Sequence, residues 1–152
     1  MSLKTKLMED LKQAVRQGDE RRKAAIRLVK AAIINAEIEK RGQELSDEEI
    51  LTIIAREVKR RREAIEKFTQ GGREDLANQE RAELDILLEY LPRQMSREEI
   101  EAAARKVIEE VGATSLADMG KVMGQLMPQL KGRADGKLVS QVVKEILAGG
   151  SG

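Results

Sequence analysis

The residues best suited to chemistry are five basic side chains in the C-terminal third of the chain, where carboxylates are few. Between Val111 and Lys144 there are only two acids, Asp118 and Asp135, and both stand where helices are predicted to begin. An acid that caps a helix start cannot also pair with a nearby cation. Cations left without partners are typical of a surface that binds phosphate groups. We therefore identify five candidate phosphate ligands: Lys121, Lys131, Arg133, Lys137 and Lys144.

A glycine-containing turn, residues 131–136, lies within this basic group. Arg133 and Lys137 flank the predicted helix N-terminus that follows the turn. The free backbone N–H groups and the dipole of a helix N-terminus attract anions, and glycines allow the backbone of a polyanion to come close. The turn is therefore the predicted centre of the phosphate-binding surface.

Most catalytic groups are excluded by composition, because the chain has no histidine and no cysteine. It therefore has no Ser–His or Cys–His pair, no zinc–thiolate site and no imidazole ligand for a transition metal. A Ser–Lys arrangement stays open in principle, but the serines are better explained as helix caps or surface residues. No glycine-rich nucleotide-binding motif occurs either. We expect no catalytic residue, no metal site and no cofactor.

Two further basic clusters lie in the N-terminal half, at residues 21–30 and 56–62. Each has two interpretations: a solvated helix exterior that pairs with acidic neighbours, or another phosphate-facing surface. If the ligand is a nucleic acid, the single Tyr and single Phe cannot provide stacking platforms for unpaired bases. Recognition would then use phosphates, sugars and overall shape, as is typical of structured RNA.

Helix-forming residues dominate the chain, which predicts an all-α fold. Two capping boxes, Ser46–Glu49 and Ser96–Glu99, mark helix starts. Apolar spacing predicts four longer helices, at about 3–17, 20–40, 47–70 and 74–91, then three shorter ones, at about 97–111, 116–127 and 138–147. The second helix has a broad apolar stripe that includes Leu28, Ile34 and Ile38, so we expect neighbours on two of its sides.

Pro92 marks the predicted domain boundary, because proline cannot continue a helix and restricts the residue before it. We place the boundary between Pro92 and Ser96. The predicted organisation is an N-terminal helical domain of about four helices at 1–92, a C-terminal three-helix bundle at 93–148 and a disordered tail at 149–152. Pro128 and the glycines after it are expected to form the turn before the last helix.

The sixth predicted helix carries Met119, Met123 and Met127 at a spacing of four residues. Such a stripe is either part of the core or an adaptable peptide-binding groove. Gly120 and Gly124 on the same helix are interpreted as positions that permit close helix packing.

The compartment is constrained by what the sequence lacks. No apolar run reaches the length that a membrane-spanning helix needs, and the N-terminal residues do not resemble a secretion signal. The lack of cysteine fits a reducing compartment. We expect a cytoplasmic protein with no membrane partner.

Several segments resemble YqeY-like proteins. In the C-terminal third these are Gly112–Ser115, Asp118–Gly124, Met127–Pro128 and Lys131–Val139, and Glu89–Pro92 is similar to the family's interdomain junction. The resemblance covers residues 1 to about 148. It implies a helical N-terminal half followed by a three-helix C-terminal bundle.

The C-terminal pattern is also similar to the tail of the B subunit of the glutamyl/aspartyl-tRNA amidotransferase, a carbon–nitrogen ligase with glutamine as amide donor. The residues that match are Gly124, Met127, Lys131, Gly132, Ala134, Lys137 and Val139. In that enzyme the tail helps to hold tRNA while other domains perform the chemistry, and a similar domain is appended to some glutaminyl-tRNA synthetases. The resemblance implies RNA contact without the reaction, because this chain lacks the catalytic cradle.

Three functions are therefore open at this point. The first is a non-catalytic RNA-contacting module, with tRNA favoured and the C-terminal bundle as the contact. The second is a protein-interaction module that docks on amidotransferase or aminoacyl-tRNA synthetase subunits through the sixth helix. The third is a ligase in its own right, for which the family resemblance is the only support.

Overall fold

The computed structural model describes residues 1–149, and in this part of the chain all regular structure is helical. The all-α prediction is confirmed. The described α-helices are α1 (Leu3–Gln17), α2 (Glu20–Glu39), α3 (Asp47–Gln70), α4 (Glu74–Leu88), α5 (Arg97–Val111), α6 (Met119–Leu130) and α7 (Gly136–Ala148). The predicted disordered tail lies outside the described residues, except for Gly149, whose backbone N–H donates to the Glu145 carbonyl at the end of α7.

The helices form two compact units, and the division falls after Pro92. Unit 1 contains α1–α4, and unit 2 contains α5–α7. Each unit buries its own apolar core. Fully buried side chains in these cores include Leu7, Ile26, Ile54 and Leu87 in unit 1 and Ile100, Leu126 and Val142 in unit 2.

Three of the four helix starts in unit 1 are fixed by side chains that accept hydrogen bonds from backbone N–H groups, and only α4 begins without such a cap. Ser2 accepts from Thr5 at the start of α1, and Asp19 accepts from the third residue of α2. Ser46 and Glu49 form the predicted capping box at the start of α3. Caps of this kind typically contribute about 1 kcal/mol each.

Helix α4 ends at Leu88, earlier than the predicted end near residue 91. The N–H groups of the next three residues bond to carbonyls three positions back, so the chain tightens before Pro92. This path brings the Tyr90 hydroxyl to Asp10 on α1, where it donates to Oδ2 at 2.5 Å. Burial and this hydrogen bond raise the pKa of Tyr90 well above its usual range.

Helix α2 packs against α1, α3 and α4 with a narrower stripe than its sequence predicts. Its buried residues are Ala25, Ile26, Val29 and Ile33. Leu28, Ile34 and Ile38, predicted to belong to the buried face, are exposed instead. The expected use of these three residues in the core is therefore wrong, and α2 has an apolar side that faces outward.

Unit 2 is a three-helix bundle whose first helix starts at the predicted capping box of Ser96 and Glu99. Ser115 does not cap α6. It caps a short 3₁₀ helix, Leu116–Asp118, which leads directly into α6.

The placement of Pro128 in a turn is wrong, because Pro128 lies within the last turn of α6. The missing N–H of Pro128 leaves the carbonyl of Gly124, four positions back, without its helical hydrogen bond, and this is tolerated because Gly124 is exposed to water. Burial of Leu130 keeps this last turn against the core of unit 2.

Candidate phosphate-binding surface

The five candidate cations all lie on unit 2, on two helices and the turn that joins them. Lys121 is in the first turn of α6, Lys131 follows its last residue, and Arg133 lies within the turn. Lys137 and Lys144 are on α7. They are seven residues apart, so they share one face of the helix at a separation of about 10 Å along its axis.

Both acids of this region bind backbone amides. Asp118 accepts from the N–H groups of Thr114 and Ser115 at 2.9 and 3.3 Å, and these bonds hold the pKa of its carboxyl below the usual value. Asp135 is the N-cap of α7. The prediction that these acids serve helix starts is confirmed, and Lys131 and Lys144 form no ion pair with any described residue.

The N-terminus of α7 is less open to an external anion than the sequence indicates. The Asp135 carboxylate accepts the N–H of Lys137 at 3.4 Å, so an internal anion already faces this end of the helix. A phosphate bound here would therefore depend mainly on the side chains around the turn, of which Lys131 is exposed and Arg133 half-buried.

The turn itself is fixed by the segment that precedes α5. The Gln94 side-chain amide donates to the Gly132 carbonyl at 2.9 Å, and the Met95 N–H donates to the Arg133 carbonyl at 2.8 Å. Arg133 Nε in turn donates to the Arg93 carbonyl at 3.4 Å. Gly132 has φ of 79°, a conformation that favours glycine. Sequence reasoning missed these positioning residues, because nothing local pairs two segments about 38 residues apart.

The candidate cations extend from the start of α6 to its end, beyond the size of one ion pocket. Lys121 and Lys131 are ten residues apart, which corresponds to about 15 Å along the axis of α6. A chain of phosphates matches this spacing better than a single phosphate does. The spacing therefore favours an extended polyanion over a small anionic ligand.

An exposed face of small residues runs along α6 beside Lys121. Gly120, Gly124 and Pro128 recur at a spacing of four and are all exposed. A Cβ added at either glycine would meet no heavy atom within 4 Å, so the interpretation of these glycines as close packing positions is wrong for the described chain. A glycine inside a helix costs roughly 1 kcal/mol relative to alanine, and here no internal contact offsets that cost.

The basic cluster at residues 21–30 is partly neutralised within unit 1. Arg22 pairs with Glu89 at 2.9 Å, and Lys23 pairs with the acid three residues before it at 3.0 Å. The interpretation as a solvated exterior with acidic neighbours fits these residues. Arg27 and Lys30 are exposed and have no ion pair among the described residues.

The cluster at residues 56–62 contains a buried ion-pair network. Arg61 is only 4% exposed. Its Nη1 donates to the Glu57 carboxylate at 3.0 Å, and its Nε lies 3.5 Å from the Glu83 carboxylate on α4. Arg60 also pairs with Glu57, at 3.3 Å. This part of the cluster joins α3 to α4, which is a structural role.

The methionine stripe lies at the edge of the unit 2 core. Met119, Met123 and Met127 are partly buried and pack against that core. Leu116, in the 3₁₀ helix just before α6, is exposed. The stripe thus contributes to the core while keeping some exposed surface, so the interpretation as a peptide-binding groove stays open.

No helix in the described chain is both long and apolar enough to cross a bilayer. The described residues also contain no group of three or more His, Cys, Asp or Glu side chains arranged to hold a metal ion.

A two-unit, all-α architecture with a three-helix bundle at its C-terminal end defines a class of small helical proteins. Within that class, the family described as Yqey-like protein matches residues 4–147. This match covers nearly the whole chain, and the chain belongs to that family.

Similar proteins occur in fungi under the name "Altered inheritance of mitochondria protein 41, mitochondrial". The protein from Pyrenophora tritici-repentis is 34% identical over 149 residues, covering 93% of this chain and 79% of the relative. The protein from Eremothecium gossypii is 33% identical over 123 residues, covering 79% and 67%. The protein from Saccharomyces cerevisiae strain YJM789 is 28% identical over 141 residues, covering 93% and 66%. Each relative is thus longer than the part that this chain matches.

Proposed function

We propose that this chain is a non-catalytic RNA-contacting module that binds structured RNA through unit 2, with tRNA as the favoured ligand. Its strongest support is the set of cations around the α6–α7 turn. Lys131 and Lys144 are exposed without ion-pair partners among the described residues, while both nearby acids bind backbone amides. Cations arranged in this way attract phosphates.

The open backbone of α6 gives a second reason to expect an RNA ligand. Gly120 and Gly124 leave no side chain on the face beside Lys121, so a sugar–phosphate backbone can approach the helix closely. The near absence of aromatic residues removes base stacking as a mode of binding. We therefore expect recognition of RNA shape, with little dependence on base sequence.

The preference for tRNA comes from the resemblance of the C-terminal pattern to the amidotransferase tail. Lys131 and Lys137 are among the residues that match that tail. Amide transfer itself is not part of the proposed function, and a carbon–nitrogen ligase label on this family would be inherited from the larger enzyme. The fungal relatives are named mitochondrial proteins. Mitochondria and cytoplasm both contain tRNA, so the proposed role suits either compartment.

A titration of labelled tRNA with the full chain, followed by fluorescence anisotropy at low and at physiological ionic strength, tests this role. We expect binding at low salt that weakens at higher salt. Lys131→Glu with Lys144→Glu should weaken binding by about tenfold or more, because two phosphate contacts become repulsive. The matched control is Lys12→Glu with Lys59→Glu, which reverses two exposed cations of unit 1.

Three results would count against an RNA role for unit 2. They are no tRNA binding at low salt, no effect of the Lys131 and Lys144 reversals, or an equal loss in the Lys12 and Lys59 control. Circular dichroism of each variant should match the parent, because all four side chains are exposed.

A second candidate function is docking on amidotransferase or aminoacyl-tRNA synthetase subunits. The partly exposed methionines of α6 and the exposed Leu116 favour it, since methionines adapt to varied apolar partners. Capture of such subunits in nuclease-treated extract, lost on Leu116→Asp, would support docking in place of RNA contact. Capture that nuclease abolishes would favour the RNA-contacting role.

A further inference from the structure

Helix α2 is apolar on two opposite sides. One side, which includes Ile26 and Ile33, is buried in the core of unit 1. On the other side Leu28, Ile34 and Ile38 are 51%, 45% and 68% exposed. Clustered apolar side chains in contact with water are typical of an interaction surface.

A groove of about 740 Å³ runs beside this exposed side, between α2 and α3 and bordered by α4. Half of the fourteen residues that line it are charged, and the apolar part of the lining consists of Leu28, Ile53 and four alanines, Ala31, Ala32, Ala36 and Ala64. Small side chains leave room that larger apolar side chains can fill. Ile34 and Ile38 are not part of the lining and form a ridge next to the groove.

Charges of both signs border the groove. Arg56 on α3, Glu39 on α2 and Glu80 on α4 have no ion pair among the described residues. A polyanion would be repelled by the two glutamates. A second copy of the same surface can avoid this repulsion. In a two-fold symmetric contact, the arginine of each copy can face a glutamate of the other.

We propose that the outward side of α2 is a homodimer interface, in which Ile34 and Ile38 of each copy pack against the groove alanines of the other and the charged residues of the two grooves face each other. A second copy fits because one surface presents both the ridge and the groove, as a two-fold symmetric contact requires. Residues 150–152 contain no apolar side chain that could cover the ridge. The residues of this interface belong to unit 1, and those of the phosphate-binding surface belong to unit 2.

Light scattering of the full chain over a concentration series tests the dimer. We expect the mass to rise toward twice the 17.0 kDa of one chain. Ile38→Asp should weaken association by about a hundredfold or more, because it buries an unpaired carboxylate in an apolar contact. The matched control, Val15→Asp, changes an apolar side chain of α1 that is 53% exposed and should leave association unchanged.

A second variant tests the groove independently of the ridge. Ala31→Trp fills the groove from an exposed position and should also abolish the dimer. A mixed dimer of Ile38→Asp and Ala31→Trp chains keeps one intact ridge facing one intact groove. Mixing the two labelled variants should therefore restore part of the association, measured as energy transfer between the labels.

A mass of one chain at every concentration overturns the homodimer, as does a dimer that survives Ile38→Asp or that is lost equally with Val15→Asp. If no homodimer forms, maleimide labelling of the Ile38→Cys variant shows whether the ridge is covered. The introduced cysteine would be the sole cysteine of that chain. A monomer protected from maleimide would have the ridge covered within its own chain. A monomer that labels freely would leave the ridge in water.

Discussion

Units 1 and 2 use basic side chains for different purposes. In unit 1 many cations pair with carboxylates, and Arg61 is buried in a network with Glu57 and Glu83. In unit 2 the ion pairs of the described residues involve Arg93 and Arg97, near the start of α5. Lys131 and Lys144 have none. Unit 1 also has exposed cations without ion pairs in the described part of the chain, such as Arg27 and Lys30. The difference therefore lies in the scarcity of acids around the cations of residues 111–144, which the net charge of +1 for the whole chain does not reveal.

The largest expected effect separates a cation that supports the fold from one that does not. Arg61→Ala should lower the free energy of unfolding by about 3 kcal/mol, because it removes a buried guanidinium that two half-buried carboxylates share and leaves Glu83 without an ion pair among the described residues. Lys131→Ala should change it by about 0.5 kcal/mol or less, as is usual for an exposed side chain. Urea denaturation of both variants measures the two values.

Arg60→Ala is the control for the buried network, because Arg60 shares Glu57 but its side chain is 71% exposed. A small effect is expected. If Arg61→Ala were as mild as Arg60→Ala, the contrast between structural and free cations would fail.

A smaller effect of opposite sign is expected at the open face of α6. Gly124→Ala should raise the free energy of unfolding by about 0.5–1 kcal/mol, since alanine is the better helix former and its Cβ meets nothing within 4 Å. The same methyl group should weaken tRNA binding by narrowing the approach to the backbone. Gln129→Ala, at another exposed position of α6, is the control for both measurements, because Gln129 bonds only within its own helix in the described chain. A more stable variant with unchanged tRNA affinity would remove the glycine face from the RNA contact.

The smallest expected effect is the loss of stability in acid at the two capping boxes, one in each unit. A hydrogen bond from Lys40 and the N–H of Ser46 lower the pKa of Glu49 to about 2, and Arg93 and the N–H of Ser96 do the same for Glu99. Because these pKa values lie below the ordinary 4.5, the stabilisation is present above about pH 4.5 and is lost as the pH falls toward 2.

Glu49→Gln and Glu99→Gln should therefore each reduce the loss of stability between about pH 4.5 and pH 2, measured by urea denaturation at a series of pH values. Glu98→Gln, also in the first turn of α5, is the control. An acid profile unchanged in both cap variants would contradict the assigned pKa values.

Much of this fold could be predicted because its signals are local. The capping boxes at Ser46 and Ser96 depend on residues three positions apart, and the structure has both. The helix-start role of Asp118 and Asp135 follows from the same short-range logic. These predictions needed no knowledge of how distant segments meet.

The errors arose where distant contacts decide the outcome. Tyr90 leaves the path of α4 to reach Asp10, and burial of Leu130 holds Pro128 inside a helix. The outward side of α2 could not be recognised, because an apolar residue has the same sequence pattern in a core and at an interface. The hydrogen bonds that fix the α6–α7 turn from residues 93–95 were invisible for the same reason.

The salt dependence of tRNA binding tests the central claim most directly. For the parent, Lys131→Ala with Lys144→Ala, and Lys12→Ala with Lys59→Ala, the slope of log affinity against log salt concentration counts the phosphates contacted. The unit 2 variant should have a slope shallower by about 1.4–1.8, the value for two lost contacts, while the unit 1 variant keeps the slope of the parent. Equal slopes for all three proteins, or an equal reduction in both variants, would contradict binding through the free cations of unit 2.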